Sequence, residues 1–200
     1  VSPVEVSARQ RILEAALVEF AARGYEAAST NAIAAAAGVA KGLVFHHFGS
    51  KEQLFAALFD VEVQRFIDGV FAALDTRSED LFERLHQVSM RKIELAQQHP
   101  RTAEFLVVAI TEAPPALRPT LALRQAELMR AAWPRLLEGL DASRLRPGLT
   151  LADAVETLGL MAEGVEKQVS ALLKARALTM PEVTARVWRH FERLRDGLYR

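Results

Sequence analysis

Apolar residues recur every third or fourth position along most of the chain, the period of helices with one buried face. Ile12, Leu13, Ala16, Leu17 and Phe20 make the first such stripe. Ser7, with Gln10 three residues on, has the form of a capping box, and Gly24 predicts the helix end. Ser29 is the next cap and opens a short helix through Ala37. Gly38 supplies a tight turn, and 40–47 form a second short helix. Ser50 with Gln53 makes another capping box and opens a long helix to about Leu74.

Beyond Thr76 the same period continues. Ser78, followed by Glu79 and Asp80, predicts a helix start, and Pro100 an end after His99. Further helices are expected over about 101–112, closed by Pro114 and Pro115, and over about 116–139. The second of these should kink at Trp133-Pro134, because proline removes a backbone donor. The segment 141–149 reads as a loop. Thr150 caps 151–176, and Thr179 with Pro181 and Glu182 opens a last helix to about Leu198. Strand-type alternation is nearly absent, and neither an internal repeat nor a low-complexity linker breaks the pattern. The predicted fold class is all-α, with about nine helices.

Composition then narrows the class. Half of the 200 residues are hydrophobic, 25% are charged, and 25 basic residues balance 25 acidic ones. This is a globular profile with room for a sizeable core. The lack of cysteine removes disulfides, thiolate zinc sites and cysteine nucleophiles, and fits a reducing compartment. The first apolar stripe is amphipathic, unlike the core of a signal peptide. The longest nearly unbroken apolar run, 32–40, is far short of the ~20 residues that cross a bilayer. A cytoplasmic protein with no membrane partner is expected.

Zero net charge argues mildly against nucleic acid, but the distribution of charge changes that picture. Between Ala27 and Lys51 stand Lys41, Lys51, His46 and His47, with no Asp or Glu. Two short helices joined at a glycine, behind a longer helix, are helix-turn-helix grammar. In that motif the second short helix enters the major groove. Lys41 offers a phosphate contact, Gly42 lets backbone approach backbone, and Phe45, His46 and His47 present flat rings to the groove wall. Lys51 sits at a helix N-terminus, where free amides and the dipole favour phosphate. Phe48, at helical spacing from Val44, points inward, and Leu43 is divided between core and contact.

These residues also carry a resemblance. Ile33-Ala34, Ala37-Gly38-Val39, Lys41-Gly42, Phe45-His46-His47-Phe48 and Ser50-Lys51 resemble, without a gap, the DNA-binding domain of TetR-family transcriptional regulators. The resemblance implies a helix-turn-helix domain over 1–49 and a ligand-binding and dimerisation domain over 50–200. It implies DNA contacts at Thr30, Asn31, Lys41, Gly42, Leu43, Phe45, His46, His47 and Lys51. Three positions depart from the family pattern. Leu43 stands where Ser or Thr is usual, turning a polar contact into an apolar one such as a thymine methyl. Phe45 replaces a common tyrosine and has no hydroxyl for phosphate. Ala40 replaces a Ser or Thr cap, which weakens the start of the recognition helix.

Leu151, Val155, Leu158, Ala162, Val165, Val169 and Leu172 follow a heptad seam, and Val183, Val187, Phe191, Leu194 and Leu198 make a stripe on the last helix. Ala154, Met161 and Leu173 lie off the seam and call for a second buried face. The resemblance implies a homodimer built from these two helices. Its candidate interface is Val155, Leu158, Ala162, Val165, Val169, Leu172, Val187, Phe191 and Leu194. It also implies an inducer cavity among the middle helices, and the large apolar side chains there point to a small, mainly apolar molecule. Phe66, Met90, Phe105, Met129, Trp133 and Met161 are candidate lining residues, with His86, Gln125 or Glu163 as polar anchors.

No nucleophile-plus-base spacing, phosphate loop or HExxH motif is present, so no catalytic residue, metal or cofactor is expected. Adjacent histidines diverge by about 100° on a helix and make poor joint metal ligands. Glu163, Glu166 and Lys167 are read as a solvated ion-pair group. The expected function is a ligand-responsive regulator, more a repressor than an activator, bound to a pseudo-palindromic operator. The alternatives are a helical interaction module that has lost DNA binding, or a small-molecule-binding enzyme.

Overall fold

A computed structural model describes residues 7–158, 160–161, 164 and 180–198. The helices are α1 (Ala8–Ala27), α2 (Thr30–Ala36), α3 (Lys41–Phe48), α4 (Lys51–Ala72), α5 (Leu81–Gln98), α6 (Pro100–Thr111) and α7 (Arg118–Leu137). After a 3-10 turn at Ala142–Arg144 come α8, described over 151–158, and α9 (Met180–Leu198). No β-strand occurs among the described residues, and no helix of theirs is long and apolar enough to cross a membrane. The all-α expectation holds. Thr179, Ala162, Glu163, Val165, Glu166, Lys167, Val169 and Leu172 lie outside the described residues.

The fold forms two compact units, one of residues up to 67 with 98–128, the other of 68–97 with residues from 129 onward. In the first unit α1 packs on α2 and α6 around interlocked rings. Phe55 meets Phe20 at 5.0 Å, Tyr25 at 5.2 Å and Phe105 at 5.2 Å, each edge-on or steeply tilted. Such geometry sets the positive edge of one ring against the negative face of another. Beside this core Glu62 is 3% exposed. One of its oxygens accepts the Thr102 hydroxyl at 2.7 Å, and the other accepts from Arg65 at 2.7 Å. A buried carboxylate needs both partners, since desolvation penalises the charge.

Gly24 breaks α1 as expected, at φ 71°, but a further turn runs on to Ala27. The positive φ favours glycine, and a Cβ there would fall on the Glu112 carboxylate.

The second unit is stapled by Arg84, whose side chain is 0% exposed. Its guanidinium donates to the carbonyls of Thr76 at 2.6 Å, Ser78 at 2.7 Å and Leu136 at 2.8 Å. Leu136 lies in the last turn of α7, where the helix dipole is negative and suits a cation. This staple explains one difference from expectation. Ser78 does not cap α5, because its carbonyl is held by Arg84 and its hydroxyl donates to Glu83 at 2.6 Å. Asp80 caps α5, accepting from the amides of Phe82 at 2.8 Å and Glu83 at 3.0 Å, and it pairs with Arg144. Thr150 and Asp153 form a reciprocal box at the start of α8.

Candidate nucleic-acid interface

Three serines set the helices that carry the site. The side chains of Ser7, Ser29 and Ser50 accept from the amides of Gln10 at 3.2 Å, Ala32 at 3.4 Å and Gln53 at 3.1 Å. Two bonds then fix α2 on α1. The Ser29 amide donates to Glu19 at 3.0 Å, and Arg11 Nε donates to the Ala37 carbonyl at 3.1 Å. The turn to α3 passes through Gly38 at φ 65°, with the amides of Gly38 and Val39 returning to Ala35 and Ala34. Ala40 opens α3 without a side-chain cap.

Burial divides α3 into two faces. Val44 and Phe48 join Ile33, Ala34 and Ala37 in the core. Lys41, Gly42, Phe45, His46 and His47 are exposed, and Leu43 is half-buried. On α2 Asn31 is exposed and Thr30 half-buried. The outward face is thus cationic, aromatic and free of carboxylates. Lys41 Nζ lies 5.8 Å from the Phe45 ring centre, and the His46 and His47 rings stand 5.6 Å apart. No group of three or more metal-ligating side chains occurs among the described residues.

Lys51 has internal partners that its sequence position did not announce. Its Nζ donates to the Glu26 carbonyl at 3.1 Å and lies 4.7 Å from the centre of the Tyr25 ring. One acid and one base were also missed. Glu52 occupies the start of α4, where its own backbone amide, the Ser50 hydroxyl and the Tyr25 hydroxyl hold its carboxyl below the usual range. Burial, then the hydrogen bond and charge of Glu52, with Glu26 adding, push the Tyr25 phenol up. Arg9 on α1 sets its guanidinium 5.3 Å from the centre of the Phe48 ring, adding a cation beside α3. A basic residue two positions after an N-cap was the available signal for Arg9, and an acid in a first turn the signal for Glu52.

The other candidates are divided between the two units. Phe105 is fully buried in the aromatic core of the first unit, where Phe66 and Gln125 are half-buried. In the second unit His86 and Met90 are exposed, and Met129, Trp133 and Met161 are half-buried. His86 packs against Trp188 with ring centres 4.6 Å apart. Of the described seam residues, Leu158 is 1% exposed in its own chain and Val155 is half-buried. Val187, Phe191 and Leu194 on α9 are all half-buried.

Residues 12–58 match the family model described as bacterial regulatory proteins, tetR family. Over 165 residues the chain is 32% identical to the HTH-type transcriptional repressor AcnR of Corynebacterium efficiens, covering 80% of this chain and 78% of that one. The chain belongs to the TetR family. It is a helix-turn-helix, DNA-binding transcription regulator and not an enzyme. TetR-family members bind operator DNA and typically act as dimers. A second relative, the HTH-type transcriptional activator FasR of Mycolicibacterium smegmatis, is 39% identical over 72 residues, 36% of this chain and 33% of that one. Among solved structures, a tetR family transcription regulator from Shewanella sp. PV-4 superposes with a TM-score of 0.61 at 27% identity, covering 97% of this chain and 99% of that one.

Proposed function

We propose that this TetR-family regulator is a repressor that two α3 helices, one per subunit of a homodimer, hold on a pseudo-palindromic operator. A small, mainly apolar molecule bound within 50–200 releases it. The observation that carries the reading is the outward face of α3, with Lys41, Gly42, Phe45, His46 and His47 exposed and no carboxylate among them. Thr30, Asn31 and Lys51 complete the contact set. Phosphate contacts by the cations give affinity, and the side chains toward base edges give sequence preference.

Repression is favoured by the relative named a repressor, which aligns over most of both chains, whereas the relative named an activator aligns over about a third of its length. Release by ligand is a population shift. A molecule that binds better to a dimer with altered α3 spacing draws the protein off sites whose half-sites lie one helical turn apart.

Selection from random-sequence duplexes, followed by titration at several salt concentrations, tests the reading. The expected result is a palindromic consensus bound with an affinity that falls steeply as salt rises. A pool that shows no enrichment after repeated rounds would contradict it.

A further inference from the structure

The inventory of α3 restricts which bases it can read. Its eight residues, Lys-Gly-Leu-Val-Phe-His-His-Phe, contain no Asn, Gln, Asp, Glu, Ser or Thr. In the major groove adenine offers a donor beside an acceptor and is matched by Asn or Gln, and cytosine offers a donor and is matched by a carboxylate. Neither match is available on this helix. A neutral imidazole has one donor and one acceptor nitrogen on diverging sides of its ring, so it cannot make the two-point match to adenine and offers cytosine only a single acceptor. Thymine presents a C5-methyl beside its acceptor O4, and guanine presents two acceptors. Apart from the single acceptor nitrogen of each imidazole, the helix carries donors and apolar surface, the complement of those edges.

Two residues make the apolar part specific. Phe45 is 38% exposed although Val44 and Phe48 already fill the core side of α3. Its ring carries no hydroxyl, so phosphate is not its partner. Gly42 lies three residues earlier on the same face. A Cβ built there meets nothing within 4 Å, and its φ is not in the left-handed region. Glycine weakens a short helix relative to alanine, yet nothing inside the chain requires it at this position. The requirement therefore lies outside the chain, in whatever approaches the helix backbone.

We propose that the operator makes its closest approach to α3 at Gly42, and that the Phe45 ring one turn on reads a thymine C5-methyl in each half-site. The assignment rests on α3 being the helix that enters the groove.

The test uses the duplex recovered by selection, with each thymine of the half-site replaced in turn by uracil, which removes only the methyl. The full-length protein should lose about fourfold in affinity per half-site at one position, the effect of one buried methyl-sized group. Phe45→Ala should bind the thymine and uracil duplexes equally, and Phe45→Leu, which keeps apolar surface, should retain part of the preference. Gly42→Ala should melt at a higher temperature and bind about tenfold more weakly, a pairing that a purely structural glycine would not produce. A uracil scan that is flat at every position, or uracil penalties that persist unchanged in Phe45→Ala, would overturn the proposal while leaving the operator-binding reading intact. Failure of selection itself would remove both.

Discussion

Among the described residues the two compact units each bury one ionic group, an acid in the first and a base in the second, and they satisfy it differently. Glu62 is met by side chains, the Thr102 hydroxyl and the Arg65 guanidinium, beside a core of interlocking aromatic rings. Arg84 is met by three backbone carbonyls that join the segment before α5 to the end of α7. The first unit therefore closes its own core and leaves the outward residues of α3 without structural duties. The second depends on a polar staple and keeps apolar surface half-covered on α9, at Val187, Phe191 and Leu194. On the proposed reading, surface released from packing would serve recognition in the first unit. In the second, apolar surface left over is available to another subunit.

The largest expected effect lies at Phe55. Truncating this ring to alanine opens a cavity against three aromatic neighbours and should cost about 4 kcal/mol. Denaturant unfolding reads the loss, and a change under about 1 kcal/mol would mean that the rings are not the core of their unit. Arg84→Leu should cost about 3 kcal/mol, because three carbonyls lose their donor inside the protein. Arg84→Lys should recover only part, since one ammonium cannot reproduce the planar fork. Full recovery by lysine would show that charge, and not the fork, holds the segment. On α9, Phe191→Glu should weaken self-association about a hundredfold or more, as two symmetry-related carboxylates enter an apolar contact. Light scattering at micromolar concentration would then find monomer, and an intact dimer would place the interface elsewhere.

The smallest effects concern pH. The Glu52 carboxyl is depressed in the fold, so its stabilisation is present above the ordinary carboxylate range and lost as pH falls through the lowered value. The Tyr25 phenol is raised, so its stabilisation is present below a tyrosine's ordinary pKa of ~10 and lost as pH rises through the folded value. Melting temperature against pH should therefore decline at both extremes. Glu52→Gln should flatten the acid limb and Tyr25→Phe the alkaline one. Variants whose profiles run parallel to the wild type would contradict this pairing.

Much of the first unit was legible because local chemistry decides it. Ser7 and Ser50 stand alone before apolar stripes, Ser29 is the first of a Ser-Thr-Asn run, and each caps the helix it announces. Asp80 was not legible as a cap, because Ser78, Glu79 and Asp80 are consecutive candidates and the choice is made by Arg84 from α5. Gly24 was legible as a break but not as one followed by another helical turn, since that continuation depends on packing against α6. The buried charges did leave a trace. Arg84 lies three residues after Leu81 and four before Val88, and Glu62 lies four after Leu58 and four before Phe66. A charge in the apolar phase of a helix signals burial with a partner, although the pattern does not name the partner. The internal bonds of Lys51 left no such trace, because its partners, the Glu26 carbonyl and the Tyr25 ring, come from the end of another helix.

The most direct test of the central claim, that the acid-free face of α3 is the DNA-binding surface, is fluorescence anisotropy of the selected duplex with wild type and Lys41→Glu across a salt series. Lys41 is exposed and holds no core contact, so the variant should melt within a few degrees of the wild type. Specific binding should be lost, because a carboxylate placed on this face repels phosphate and desolvates without a partner. Equal affinity and equal salt slope for the two proteins would contradict it.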